Sequence, residues 1–344
     1  MKKISSFLLA LLLILPMSHA GATGRESIVV YGAGLSKEER AKTREFFDVK
    51  NERVGILKAD EYREIIKEAK TRDENLISSV AVSFDESMKG IQVSIKTSDN
   101  ITKVTSGQYI NAVYTAGLDK CLIEVAAIKK VSGHSALAGV FKVAKMKGIK
   151  LNKENVKLAN EELRILSEVS NSSKGQKNFS DDNFSAAIAE IKKEIARLSK
   201  ENGKDKVTDE KINNVVVNIF NQFNIKISDI NMDKINNYMI KFRDNLGNID
   251  IDSFVKNTGN IIENLKNAAS DGGKFIQEKT EELKKKAGEL KEAGEKNGFF
   301  QAIGNFFKAI FTAIYDLFKS LVRIFTGEKA EKTAKFNIDI YRLS

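Results

Sequence analysis

Two residues of this chain could form a nucleophile and its base: Cys121, the only cysteine, and His134, the only histidine beyond the first twenty residues. A thiol–imidazole pair needs contact within hydrogen-bond reach and a third group to orient the ring. Cys121 opens an apolar run, Cys121–Ala127, where a buried and inert thiol is expected. His134 lies in the Gly/Ser turn Ser132-Gly133-His134-Ser135, which predicts surface exposure. Ser79 and Ser135 are serines without the G-x-S-x-G setting of a nucleophile elbow. With one cysteine and two histidines in 344 residues, Cys/His zinc sites, H-E-x-x-H metalloproteases and disulfide frameworks are excluded. No catalytic residue, cofactor or metal ligand is therefore assigned from sequence. The 46 acidic residues leave carboxylate-based hydrolysis open as the alternative activity.

Gly32-Ala33-Gly34 follows an apolar strand and precedes a helix, the setting of a dinucleotide loop. The third glycine of that loop is replaced by Lys37, and Ser36 with Glu39 forms a capping box instead. A structural role is expected for these glycines.

The elements that would position these residues follow from periodicity. Ser27–Tyr31, Arg53–Lys58, Leu76–Phe84, Ile91–Lys96 and Cys121–Ala127 read as strands. Lys37–Phe47, Tyr62–Lys70, Ser106–Gly117 and Ser135–Lys147 read as helices between and after them. Residues 21–150 thus form an α+β or α/β domain. From 151 to 270 the pattern is helical, with candidates at 153–169, 181–200, 208–223, 231–246 and 252–269. Thr208 and Asp252 supply start signals, and 171–177 (NSSKGQK) reads as a linker. A short echo, Lys211-Ile212-Asn213-Asn214 and Lys234-Ile235-Asn236-Asn237, precedes two apolar helical stripes.

Six ordered motifs in the first half resemble one bacterial family. They are Val30-Tyr31-Gly32-Ala33-Gly34-Leu35-Ser36, Ile77-Ser78-Ser79-Val80, Asn100-Ile101-Thr102, Tyr109-Ile110-Asn111-Ala112 with Thr115-Ala116-Gly117, Val125-Ala126-Ala127, and Val131–Gly139. The family is catalogued as domain of unknown function 1002, and the resemblance extends more loosely to about residue 270. It implies an exported protein with no assigned activity, cofactor or catalytic residue. Gly34 and His134 stand where an acidic residue and a threonine are common in that family.

Export is also expected from the first twenty residues. Lys2 and Lys3 precede the apolar run Phe7–Leu15, and Ser18 and Ala20 stand at the −3 and −1 positions of a cleavage site before Gly21. The expected location is extracellular or in the cell envelope. Without Lys2 and Lys3 the chain has 54 basic and 46 acidic residues, and residues 129–157 alone carry a net charge of +7. That basic segment, including Lys142, Lys145, Lys147, Lys150 and Lys153, suits an anionic envelope polymer or lipid better than nucleic acid. A solvated helix face is the competing reading.

Beyond residue 270 the composition changes. Residues 271–296 hold seven acidic and seven basic residues with a weak a/d rhythm, a charged helical stalk with coiled-coil character. Residues 297–327 follow as an amphipathic helix, and 328–344 as a tail. At 100° per residue, Phe299, Phe300, Ile303, Phe306, Phe307, Ile310, Phe311, Ile314, Tyr315, Leu317, Phe318, Leu321, Val322, Ile324 and Phe325 fill one half of the wheel. Lys308, Lys319 and Arg323, with Asp316 the one acid, lie among the polar residues of the other half, which argues against a lone transmembrane span. This face is expected to meet a membrane interface, a second copy of the chain, or the protein's own core.

Overall fold

The computed structural model describes residues 26–66, 70–176 and 179–268. The expected stalk, amphipathic helix, tail and leader lie outside the described residues.

Five strands form one mixed sheet: β1 (Ser27–Gly32), β2 (Glu52–Leu57), β3 (Ser79–Phe84), β4 (Ile91–Ile95) and β5 (Cys121–Ala126), in the order β2-β1-β3-β5-β4. β1 and β2 are parallel, as are β4 and β5, and β3 runs antiparallel to both its neighbours. Four strands therefore point the same way, and their carboxyl ends share one edge with the start of β3. The α+β expectation holds, with a mixed sheet in place of alternating parallel units.

Helix α1 (Lys37–Arg44) links β1 to β2, and its Ser36–Glu39 capping box forms as expected. It ends at Arg44 rather than continuing to Phe47; Phe47 and Val49 instead fold back onto Val29, Tyr31 and Ala81. α2 (Ala59–Ile66) starts three residues before the expected Tyr62, because the Asp73 carboxylate accepts the Ala59 amide at 2.6 Å. The expected strand Leu76–Phe84 begins only at Ser79, since a 3₁₀ turn at Asp73–Asn75 displaces the preceding residues from the ladder.

Helices α3 (Ser106–Thr115) and α4 (His134–Lys147) pack against the other face of the sheet. Gly139 of α4 lets the helix approach until a Cβ there would stand 3.0 Å from Val80. Helices α5 (Lys153–Ser173), α6 (Asp181–Asn202), α7 (Asp209–Gln222), α8 (Asp229–Asn245) and α9 (Ile251–Ala268) complete the described body. One continuous apolar core runs from Ile28 and Val80 of the sheet to Leu163, Ile188, Phe220 and Phe242 of the helices.

Two helix boundaries correct the sequence reading. α5 continues to Ser173, so the first three linker residues are helical; Asn171 donates to the Lys103 and Ser167 carbonyls. α9 is started by Asp250, whose carboxylate accepts the Ser253 amide, and not by Asp252. Thr208 does cap α7, accepting the Lys211 amide. The echoed segments come together: Ile212 and Ile235 are fully buried, and Asn236 donates to Asn213 at 2.8 Å.

α3 lies between the sheet and the helices, and nine of its ten residues are buried. Its polar stripe Gln108, Asn111 and Thr115 consequently has to find partners inside the protein. Asn111 donates to the Ser185 carbonyl of α6 at 2.9 Å. Thr115 donates to Glu162 of α5 at 2.6 Å. Glu162 also pairs with Lys192 of α6 at 2.7 Å, both side chains fully buried. The Lys192 ammonium also donates to the Asn111 carbonyl at 3.1 Å and the Thr115 hydroxyl at 3.0 Å. Burial pushes the Lys192 pKa down, and the Glu162 carboxylate opposes that shift.

Removing one partner of this pair strands a charge in the core. Lys192→Met alone, and Glu162→Gln alone, are expected to cost about 3–5 kcal/mol in urea unfolding. Glu162→Leu with Lys192→Met and Thr115→Val is expected to cost less than either single change, because no unpaired charge remains. A triple variant as unstable as the singles would contradict this account.

Candidate functional site

A cavity of about 400 Å³ opens at the carboxyl ends of the strands. This is the edge where α/β sheets bind ligands, because strand ends and helix starts converge there. One wall is Tyr62 and Ile66 of α2, and a second is Asn160 and Arg164 of α5. A third is the segment Thr71–Ser78, and the last is Val131–Ser135 at the start of α4.

The Gly-Ala-Gly sequence builds one of these walls. A Cβ at Gly32 would stand 2.0 Å from the Leu76 carbonyl oxygen, and one at Gly34 2.7 Å from that of Asp73. Only glycine allows residues 73–77 to cross so closely over the end of β1, where the Gly34 amide donates to the Leu76 carbonyl at 3.0 Å. The glycines thus serve backbone packing, as expected from the missing third glycine.

Gly133 holds the opposite wall. Its φ of 98° suits glycine, and its carbonyl accepts the Tyr109 hydroxyl at 2.6 Å. It is also the N-cap of α4, so no side chain caps that helix start. Burial raises the Tyr109 pKa far above the ordinary phenol range, keeping it a neutral donor.

His134 is half-buried as the first residue of α4, which corrects the expected surface exposure: the Gly/Ser turn exists, but α5 packs over it. Its Nε2 lies 2.8 Å from the Ser167 hydroxyl. Ser167 donates its proton to the Arg164 carbonyl at 2.9 Å, so the imidazole Nε2–H is the donor to Ser167. That direction is the reverse of a base activating a serine nucleophile. Ser167 is also 2% exposed. Sequence reasoning missed this partner, since nothing local links positions 134 and 167.

Cys121 is fully buried at the amino end of β5, the edge opposite His134. β5 itself places about 16 Å between Cys121 and Ala126. Burial, with Asp119 adding, pushes the thiol up to about 12. The structure therefore does not bring Cys121 and His134 together. Among the described residues, no group of three His, Cys, Asp or Glu side chains gathers where a metal ion could be held.

The basic segment lines the cavity only through its residues 131–135. Lys145 and Lys147 are in the last turn of α4, about 20 Å along the helix from its start, where cations favour the helix dipole. Lys142 pairs with Glu61 and Lys147 with Glu26 at 2.8 Å. Lys145, Lys150 and Lys153 are exposed, with no ion pair among the described residues. The apolar face Phe299–Phe325 lies outside the described residues.

A five-stranded mixed sheet with a helical second layer, and a cavity at its carboxyl edge, defines an α+β protein. Residues 31–261 match the family described as "Protein of unknown function (DUF1002)", and the chain belongs to that family. It is similar to the uncharacterized protein YpuA of Bacillus subtilis (strain 168). The two are 30% identical over 331 residues, covering 93% of this chain and all of the relative. No solved structure matches.

The thiol gives a direct check on the buried strand end. Cys121 should resist a thiol reagent in the folded protein at pH 8 and react fully in denaturant, since both burial and the raised pKa withhold the thiolate. Stoichiometric labelling of the native protein, followed by mass spectrometry, would contradict that placement.

Proposed function

We propose that this chain is an exported protein of the cell envelope or extracellular space that binds its ligand rather than turning it over. The observation that carries this reading is the cavity lining: hydroxyls, carboxamides, an imidazole and a guanidinium, with no carboxylate among the described residues. Hydrolysis of a glycoside by two carboxyl groups requires them across one cleft, roughly 5–10 Å apart. Among the described residues the carboxyl whose pKa is raised, Asp182, is half-buried beside Asp181 in the first turn of α6, where Asp181 accepts the Ser170 hydroxyl. Its neighbourhood is a helix start and not the cavity.

The alternative is a hydrolase of envelope polymers, and the two readings part in one assay. Incubated with insoluble anionic cell-wall polymer, the protein is expected to sediment with it and to release no soluble fragments. Fragment release that continues with time would overturn the binding reading.

A second reading concerns residues 299–325, and the clean division of their wheel favours it. We propose that this face associates with a membrane interface or with a second copy of the chain. Seven phenylalanines supply the buried area, and Lys308, Lys319 and Arg323 add attraction to anionic lipid. Changing Phe307 and Phe318 to Ser should reduce co-sedimentation with anionic vesicles, or the mass in light scattering, without lowering the melting temperature. Docking on the protein's own core predicts the converse, because large buried aromatics each contribute about 3–5 kcal/mol. A chain ending at Gly298 that melts early, with unchanged lipid binding and mass, would assign this face to the core.

A further inference from the structure

We infer that the corner joining α4 to α5, together with Arg53 of β2, holds a linear polyanion, a polymer with an anionic group such as phosphate in each repeat. This inference rests on the binding reading and deepens it with a second surface, at the opposite end of α4 from the cavity.

The fold gathers positive charge there. α4 ends at Lys147, Gly148 turns the chain at a φ of 85°, and α5 begins at Lys153. The Gly148 and Ile149 amides donate to the Lys145 and Ala144 carbonyls at 3.1 and 2.9 Å, which fixes the turn. Lys145, Lys147, Lys150 and Lys153 therefore project from one tight corner. Arg53 joins them, because its guanidinium donates to the Met146 carbonyl at 3.1 Å. Two acids stand among these cations. Glu26 is shared between Lys147 at 2.8 Å and Arg53 at 3.7 Å. Glu154 lies 3.7 Å from Lys157 with both side chains 59% exposed, a pair that contributes little. Lys145, Lys150 and Lys153 have no ion pair among the described residues.

The neighbouring loop meets this corner with carboxamides. Asn152 and Asn155 donate to Asn248 at 3.3 and 3.0 Å, and Asn245 donates to Asn155 at 2.7 Å. The acids flanking that loop are engaged elsewhere, Asp244 with Arg243 and Asp250 with Ser253.

Helix electrostatics account for only half of these lysines. Lys145 and Lys147 lie in the last turn of α4, where cations suit the dipole. Lys153 is the first residue of α5, and Lys150 stands just ahead of its N-cap Asn152, where the dipole disfavours a cation. The first residues of α6, α7 and α8 are the aspartates Asp181, Asp209 and Asp229. Unpaired cations held against a helix dipole destabilise the free protein, and a bound anion removes that cost.

The surroundings select a polymer over a bilayer. Ile149 and Leu151, interleaved with the lysines, pack on the core, so the corner presents ammonium groups without apolar side chains to insert. Gly55 of β2 abuts Met146 of α4, so the exposed Val54 beside it points to the opposite face of the sheet. Lysines on flexible stems act as point charges that can follow successive phosphates along a chain.

The test is fluorescence anisotropy of end-labelled inorganic polyphosphate with the full-length protein over a range of salt concentrations, with neutral dextran as the control polymer. Polyphosphate should bind and dextran should not. Lys150→Gln with Lys153→Gln should weaken polyphosphate binding by about fivefold per lysine. The slope of log affinity against log salt should fall by about two. The melting temperature should be unchanged or higher, because a cation leaves the start of α5. Lys204→Gln with Lys206→Gln removes the same charge from an exposed turn after α6 and should change affinity by less than about twofold.

Equal losses in the two double variants would assign binding to overall charge and overturn the inference, as would absence of polyphosphate binding. Anionic vesicles that bind through Lys150 and Lys153 and are not displaced by polyphosphate would identify a membrane surface instead, and overturn the polymer. Sedimentation with wall polymer that persists undiminished in Lys150→Gln with Lys153→Gln would keep the binding reading and overturn this surface. Fragment release from wall polymer, with the lysine-dependent affinity intact, would do the reverse.

Discussion

The buried ion pair of Glu162 and Lys192 is the constraint to which the helical layer conforms. Both charges are fully withdrawn from water, so each must be compensated at close range. The compensation draws on three helices at once: Thr115 and Asn111 from α3, Glu162 from α5 and Lys192 from α6. Tyr238 of α8 is buried beside them, and burial with the nearby Glu162 carboxylate holds its phenol well above the ordinary range. An apolar core of the same volume could tolerate sliding between these helices. A buried ion pair cannot, because a shift of an ångström leaves a charge without its partner.

That rigidity reaches the cavity through α5 and α3. Glu162 lies between Asn160 and Arg164, which line the cavity, so the pair also sets the rotation of α5 about its axis. α3 carries Tyr109, whose hydroxyl holds the Gly133 carbonyl and with it the start of α4. The cavity walls are therefore supplied by elements that the core has already oriented. The fourth wall depends on glycine, since Gly32 and Gly34 let residues 73–77 lie across the end of β1. Gly32 and Gly34 here serve close backbone approach, whereas the same residue types elsewhere form a phosphate-binding loop.

Much of the layout was legible from local pattern. Ser27–Tyr31 and Cys121–Ala127 are apolar runs bounded by turn residues, and both became strands to within a residue or two. Ser36 with Glu39 and Thr208 capped the helices they were expected to cap. Boundaries failed where a distant side chain intervened, as when Asp73 drew the start of α2 forward to Ala59. His134 was misread for the same reason: its turn is local, but its burial comes from Ser167, 33 residues away.

By itself, the sequence determined the class of fold, the order of strands and helices, the family, and the structural use of Gly32 and Gly34. Those follow from periodicities and caps that act within about four residues, where chain connectivity already dictates which groups meet. The tertiary structure alone decided that Gln108, Asn111 and Thr115 are internal, since a polar stripe reads identically whether it faces water or a buried charge. It also decided that Ser78 and Ser135 border one cavity while Cys121 lies at the far end of β5. The physical reason is strand direction: with β3 alone reversed, the start of β3 and the ends of its neighbours share an edge, and no local pattern records which way a strand will pair.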